Sequence, residues 1–158
     1  MKPVSIVIIF CIAVTFLTCS KKEENLFILL DENDTGIDFN NKIFESDSFN
    51  ILTYDYIYNG GGVAAADFNN DSIVDLFFTG NQVSNRLYLG EGNIKYKDVT
   101  EASGLVSAPK WSSGVSVVDI NNDGLKDIYV CATAHPEEEL RKNMLFINQG
   151  VNDNGVHV

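Results

Sequence analysis

Gly62-Val63-Ala64-Ala65-Ala66-Asp67-Phe68-Asn69-Asn70-Asp71-Ser72-Ile73-Val74-Asp75-Leu76 aligns without a gap on Gly114-Val115-Ser116-Val117-Val118-Asp119-Ile120-Asn121-Asn122-Asp123-Gly124-Leu125-Lys126-Asp127-Ile128, at a constant offset of 52 residues. Downstream, Asn85-Arg86-Leu87-Tyr88-Leu89 matches Asn143-Met144-Leu145-Phe146-Ile147 at an offset of 58, so the second unit carries six extra residues, placed within Cys131 to Lys142. A weaker third echo links Phe27, Leu30 and Thr35-Gly36-Ile37 with Tyr96, Val99 and Ser103-Gly104-Leu105. Repeats of this length, filled with short strands, point to propeller blades rather than solenoid turns.

Within and around the repeat, short apolar runs read as strands at 51–57, 62–66, 74–79, 86–89, 94–99, 114–118, 126–130 and 144–147. Asn93 to Val99 alternates polar and apolar, which implies one wet and one buried face. Gly62 to Ala66 is small on both faces, as suits an inner strand crowded around an axis. The fold class expected is therefore all-β, with blades of four antiparallel strands, about two of them present and the propeller incomplete. The one helical stretch expected is Pro136 to Lys142, with proline at the first helical position, acids in the first turn and bases in the last.

Each repeat contains D-x-N-x-D-x-x-x-D. Oxygen-bearing side chains at positions 1, 3, 5 and 9 of a tight loop, with the carbonyl of position 7, offer a hard divalent cation five protein oxygens. The first set is Asp67, Asn69, Asp71 and Asp75 with the carbonyl of Ile73; the second is Asp119, Asn121, Asp123 and Asp127 with the carbonyl of Leu125. Three carboxylates per loop balance Ca2+ and repel one another without it. Gly124 supplies the turn at position 6 where the first loop has Ser72, so the second site is expected to be the tighter. An EF-hand needs a glutamate at position 12 and flanking helices, but Phe78 and Val130 stand there, within strands.

The N-terminus reads as a targeting segment. Lys2 is followed by an apolar run from Val4 to Leu17, short for a membrane span of about 20 residues and suited to a signal peptide. Phe16-Leu17-Thr18-Cys19 is similar to a bacterial lipobox, in which the cysteine is lipidated; Thr18 is larger than the usual small residue. Residues 1–18 are thus expected to be a lipoprotein signal peptide, 19–26 a tether and 27–158 the blades. Ser20-Lys21-Lys22-Glu23-Glu24 resembles a signal that sends lipoproteins to the outer face of the outer membrane. With Cys11 in the discarded segment and Cys19 carrying lipid, only Cys131 remains in the fold, where a small buried strand residue is expected and no disulfide framework is possible.

A net charge of −11, with bases scattered among acids, argues against nucleic acid as a partner. No paired acid and base, no Ser/His/Asp order and no HExxH motif stands out, so a non-enzymatic role is expected. The lone His135 reads as structural, Trp111 as a packing residue rather than a sugar platform, and Tyr54, Tyr56 and Tyr58 as one strand face serving core or inter-blade packing.

Both loops, with glycine five residues before the first aspartate and an apolar strand after the last, resemble FG-GAP/VCBS repeats. The wider pattern, including Tyr96-Lys97-Asp98-Val99-Thr100 and Asn143 to Gly150, is similar to the ASPIC/UnbV group, bacterial relatives of cartilage acidic protein. The resemblance implies a calcium-stabilised propeller of about seven blades acting in extracellular binding or adhesion, with a protein or glycan as partner. Only two complete loops are present here, and the chain ends in Asn152 to Val158 without an ASPIC/UnbV module, as expected of a fragment of a longer product. The alternatives are part of a secreted lyase or hydrolase acting on polysaccharide, or a structural piece of a larger propeller.

Overall fold

Seven short strands form two antiparallel sheets in the computed structural model, which describes residues 25–106, 110–135 and 137–151. The first sheet has the order β1 (Val63–Ala66), β2 (Asp75–Phe78), β3 (Arg86–Gly92), β4 (Lys95–Asp98); the second has β5 (Trp111–Val118), β6 (Asp127–Thr133), β7 (Met144–Phe146). The architecture is all-β and propeller-like, with a four-stranded blade and, among the described residues, three strands of a second.

The sequence repeat is also a repeat of hydrogen-bond register. Val63 opposes Phe78 and Ala66 opposes Asp75, while Val115 opposes Val130 and Val118 opposes Asp127. The next pairing repeats too: Leu76 with Tyr88 and Phe78 with Arg86 become Ile128 with Phe146 and Val130 with Met144. A slip of one residue would turn every side chain to the other face, so this agreement gives equivalent residues the same place in each sheet; burial is shared at Asp75 and Asp127, but Phe77 is buried where Tyr129 is half-buried, and Ile128 and Val130 are buried where Leu76 and Phe78 are half-buried. Asn85 and Asn143 mark another shared point. The Oδ1 of each accepts the backbone N–H at the end of the preceding strand, from Gly80 at 3.0 Å and Ala132 at 2.9 Å.

One core lies between the sheets. Phe77 and Leu87 of the first and Ile128 and Val130 of the second meet Phe68, Val99 and Leu105, with the small residues of β1 and β5 alongside. The inner strands β1 and β5 approach each other, and Gly62 has Gly114 and Val115 about it at 3.0–3.1 Å from where a Cβ would stand, so a larger residue there would push the blades apart. Each fully buried aliphatic or aromatic side chain contributes about 1.5–3 kcal/mol, which makes this shared core the main tie between the blades.

Several expectations need correction. Residues 51–57 form a run of turns, not a strand. Asn50 organises them: its Oδ1 accepts the N–H of Leu52, its carbonyl accepts those of Thr53 and Tyr54, and its amide donates back to Ser46. Tyr54, Tyr56 and Tyr58 therefore share no strand face; Tyr54 packs on Phe49, Tyr56 and Trp111, while Tyr56 and Tyr58 are mostly exposed. The helix expected at 136–142 is a single 3-10 turn, Glu138–Arg141. A one-turn helix not expected from the sequence, α1 (Glu32–Thr35), is closed by Asp31 and Asp34 in a capping box and ended by Gly36 in the left-handed region. Cys131 lies in β6 as a free thiol but is half-buried rather than buried. Trp111 packs as expected, 5% exposed, with its edge contacts to Phe49 and Tyr54. The signal peptide, Cys19, most of the tether and the turn at 152–158 lie outside the described residues. Among the described residues no helix is long and apolar enough to cross a membrane.

Candidate metal centre

The two D-x-N-x-D-x-x-x-D loops connect β1 to β2 and β5 to β6, at equivalent ends of the two blades. Each is folded by its own side chains. In the first, the carboxylate of Asp67 accepts the N–H of Asp71 at 3.1 Å and of Ser72 at 2.8 Å; Asn69 Oδ1 accepts Asp71 N–H at 3.1 Å, and Asp71 accepts Ile73 N–H at 2.7 Å. The second loop repeats the network with Asp119 accepting from Asp123 (3.0 Å) and Gly124 (2.9 Å), Asn121 from Asp123 (3.2 Å), and Asp123 from Leu125 (2.8 Å). In both, the asparagine amide donates to the position-5 carboxylate at 2.8 Å.

This winding needs left-handed backbone at positions 4 and 6. Asn70 and Asn122 adopt φ of 59° and 61°, and position 6 has φ of 69° at Ser72 and 88° at Gly124. Asparagine tolerates that region and glycine enters it freely, whereas serine carries a Cβ penalty. The sequence difference between the loops is thus a difference in backbone strain.

Position 9 anchors each loop to the sheets. Asp75 and Asp127 are both fully buried. Asp75 accepts Phe68 N–H at 2.8 Å and Gly90 N–H at 2.9 Å; Asp127 accepts Ile120 N–H at 2.9 Å and Asn148 N–H at 2.8 Å. Burial pushes the Asp75 carboxyl above its usual range; the two amides pull against that, and the charges of Asp71 and Asp67 add to the rise. The three carboxylates of the first loop therefore act electrostatically on a common region.

The donor set suits a hard cation: three carboxylates, an amide oxygen and a carbonyl in nine residues. A carboxylate oxygen that accepts one N–H keeps lone-pair capacity for an ion. The ion pairs found among the described residues, Arg86–Asp98 and Lys142–Glu139, leave all six loop aspartates out. Among the described residues, however, no group of three or more His, Cys, Asp or Glu side chains is gathered as for a metal ion. A bound ion would have to draw the carboxylates inward from their hydrogen bonds to the loop amides.

Asn148 is a site residue that the sequence reading missed. It is buried, and besides its contact to Asp127 its amide donates to Phe68 carbonyl at 2.8 Å and Lys126 carbonyl at 3.2 Å. Phe68 is position 2 of the first loop, so one side chain ties the two loops together across the blades. Its counterpart at the 58-residue offset is Gly90, which holds Asp75 through its N–H alone; no motif marks the extra amide.

A separate cavity of about 550 Å³ opens beside the turns of 44–49, lined by Phe44, Phe49, Gln82, Trp111 and His135 among others. His135 Nδ1 accepts Glu137 N–H at 3.1 Å and its carbonyl accepts from Arg141 at 2.8 Å, a structural role for the residue.

Compared with known proteins, residues 67–130 match a family model described as an FG-GAP-like repeat. The match begins at the first aspartate of the first loop and ends two strands into the second blade, so it spans both loops. No curated protein matches the chain.

Proposed function

We propose that this chain is a calcium-binding, non-enzymatic β-propeller module that presents its surface to an extracellular protein or glycan. The reading rests on one observation above all: two loops a blade apart repeat the same oxygen donors, the same hydrogen bonds and the same left-handed positions, and the observed ion pairs leave their aspartates out. A turn needs one such side chain to close; three carboxylates per turn, twice over, are costly unless a cation balances them. In the first loop Asp67, Asn69, Asp71, Asp75 and the Ile73 carbonyl would hold calcium; in the second Asp119, Asn121, Asp123, Asp127 and the Leu125 carbonyl. The ion would fix the loops that cap the shared core. Cys19, preceded by Phe16-Leu17-Thr18, would carry the lipid that anchors the module to the outer membrane, facing outward. The wider resemblance to the ASPIC/UnbV group supports a binding or adhesion role.

Calorimetric titration of the chelator-treated chain with calcium tests this. Two sites are expected, falling to one in Asp71→Ala and one in Asp123→Ala, with the second loop the tighter. Absence of any saturable heat in a folded chain would remove the basis of the proposal.

A further inference from the structure

The cavity of about 550 Å³ beside the turns of 44–49 lies at the end of the blades opposite the acidic loops, for Gln82 follows β2, Trp111 opens β5 and His135 follows β6. Its size suits a small ligand or an anchoring side chain, for which sites run about 300–1,000 Å³. Phe44, Phe49 and Trp111 give it apolar walls. From that wall an aromatic row runs to the surface: Tyr54 packs edge-on against Trp111 at 5.5 Å, and Tyr56 against Tyr54 at 6.0 Å. In the same run of turns Phe44, Leu52, Tyr56 and Tyr58 are 58–90% exposed. Exposed apolar side chains gathered beside a cavity mark an interaction surface.

The polar atoms at the cavity are largely engaged. Gln82 holds the backbone of Phe44 with both ends of its amide, accepting its N–H and donating to its carbonyl. Asn81 donates to the carbonyls of Gly60 and Ser112 and accepts from Asn41. There remain the Ser48 hydroxyl and His135, whose Nδ1 accepts Glu137 N–H and so leaves Nε2 as the donor of the neutral ring. A sugar carries many hydroxyls, each costly to bury unpartnered, and finds too few groups here. An apolar side chain with one backbone carbonyl to offer His135 loses nothing. The rim is acidic: residues 44–58 hold Glu45, Asp47 and Asp55 and no base, and all three are exposed. None of them belongs to the ion pairs found among the described residues. The nearby bases are engaged, Lys42 over the Phe44 ring at 4.9 Å, Lys110 on the Lys142 carbonyl at 2.9 Å and Arg141 on the His135 carbonyl at 2.8 Å.

We propose that this cavity takes an aromatic or leucine anchor from a basic segment of a protein partner. The inference rests on the binding role proposed above, narrows its partner to protein rather than glycan, and does not use calcium. The chain's own segments outside the described residues lack that chemistry. Residues 107–109 are Ser-Ala-Pro, 152–158 carry no Lys or Arg, and 20–24 have Lys21 and Lys22 but no apolar side chain; residues 1–18 leave with the signal peptide on the same reading. A second copy would bring one acidic surface against another, in a chain of net charge −11.

Panning a phage-displayed random dodecapeptide library on the full chain tests this, with Phe44→Ser and the double variant Asp47→Lys, Asp55→Lys panned in parallel. All three positions are exposed, and an unchanged melting temperature shows that each variant is folded. Peptides enriched on the native chain should carry Phe, Tyr, Trp or Leu flanked by Lys or Arg. Trp111 is the chain's single tryptophan, so a Trp-free enriched peptide should shift its emission saturably. Affinity should fall roughly tenfold or more when the peptide's anchor becomes Ala, and fall likewise in either variant and in high salt. Enrichment that Phe44→Ser leaves intact, enriched peptides lacking bases or an anchor, or no enrichment above background would overturn the proposal. So would a shift of Trp111 emission by maltohexaose or cellohexaose, which gives the cavity to a glycan, or a shift on dilution without peptide, which gives it to a second copy.

Discussion

Ser72 and Gly124 hold the same left-handed position in loops that are otherwise alike. A Cβ in that region costs about 1–2 kcal/mol, partly offset because glycine loses more freedom on folding. Ser72→Gly should therefore stabilise the protein by about 0.5–1 kcal/mol in denaturant unfolding and bring the calcium affinity of the first loop toward that of the second. Asp75 predicts a pH effect of defined sign. Its folded pKa lies above the ordinary 3.8, so the folded state holds this proton more tightly than the unfolded one. Without calcium, its ionised form costs stability at neutral pH, and that cost is relieved as pH falls through the folded value toward 3.8. In chelator, the melting temperature of the native chain should rise relative to that of Asp75→Asn over this window. At this scale the oxygen ligand candidates were legible, because their spacing is local; Asn148 was not, because Phe68, to which its amide donates, lies 80 residues away in sequence.

Strands were legible wherever the repeat supplied two copies of the pattern. The 52- and 58-residue offsets became shared registers between β1–β2 and β5–β6 and between β2–β3 and β6–β7, and boundaries differed only by a few residues at most edges. Residues 51–57 had no second copy to check against. Their tyrosines alternate as a strand's would, but Asn50 satisfies the local backbone from its own side chain and the chain turns instead. The link between elements is where Asn148 belongs: Asn148→Ala removes the donor from two carbonyls, one of them buried with Phe68, and should cost about 1–3 kcal/mol. The same change should also weaken calcium binding at the first loop, which Asn148 touches through Phe68 without supplying a ligand.

Across the whole molecule, two blades share one core and each carries an acidic loop at the same end, within a chain of net charge −11. Calcium would act on both at once, since Phe68 belongs both to the first loop and to the common core. The most direct measurement is thermal unfolding of the full chain in excess chelator and in about 2 mM calcium, beside Asp123→Ala and Asp71→Ala; with dissociation constants of about 0.1 mM, linkage predicts roughly 1.8 kcal/mol per site, several degrees in a domain of this size. A rise with calcium that each substitution reduces is the predicted result. A cooperative melt at the same temperature with and without calcium would contradict the account.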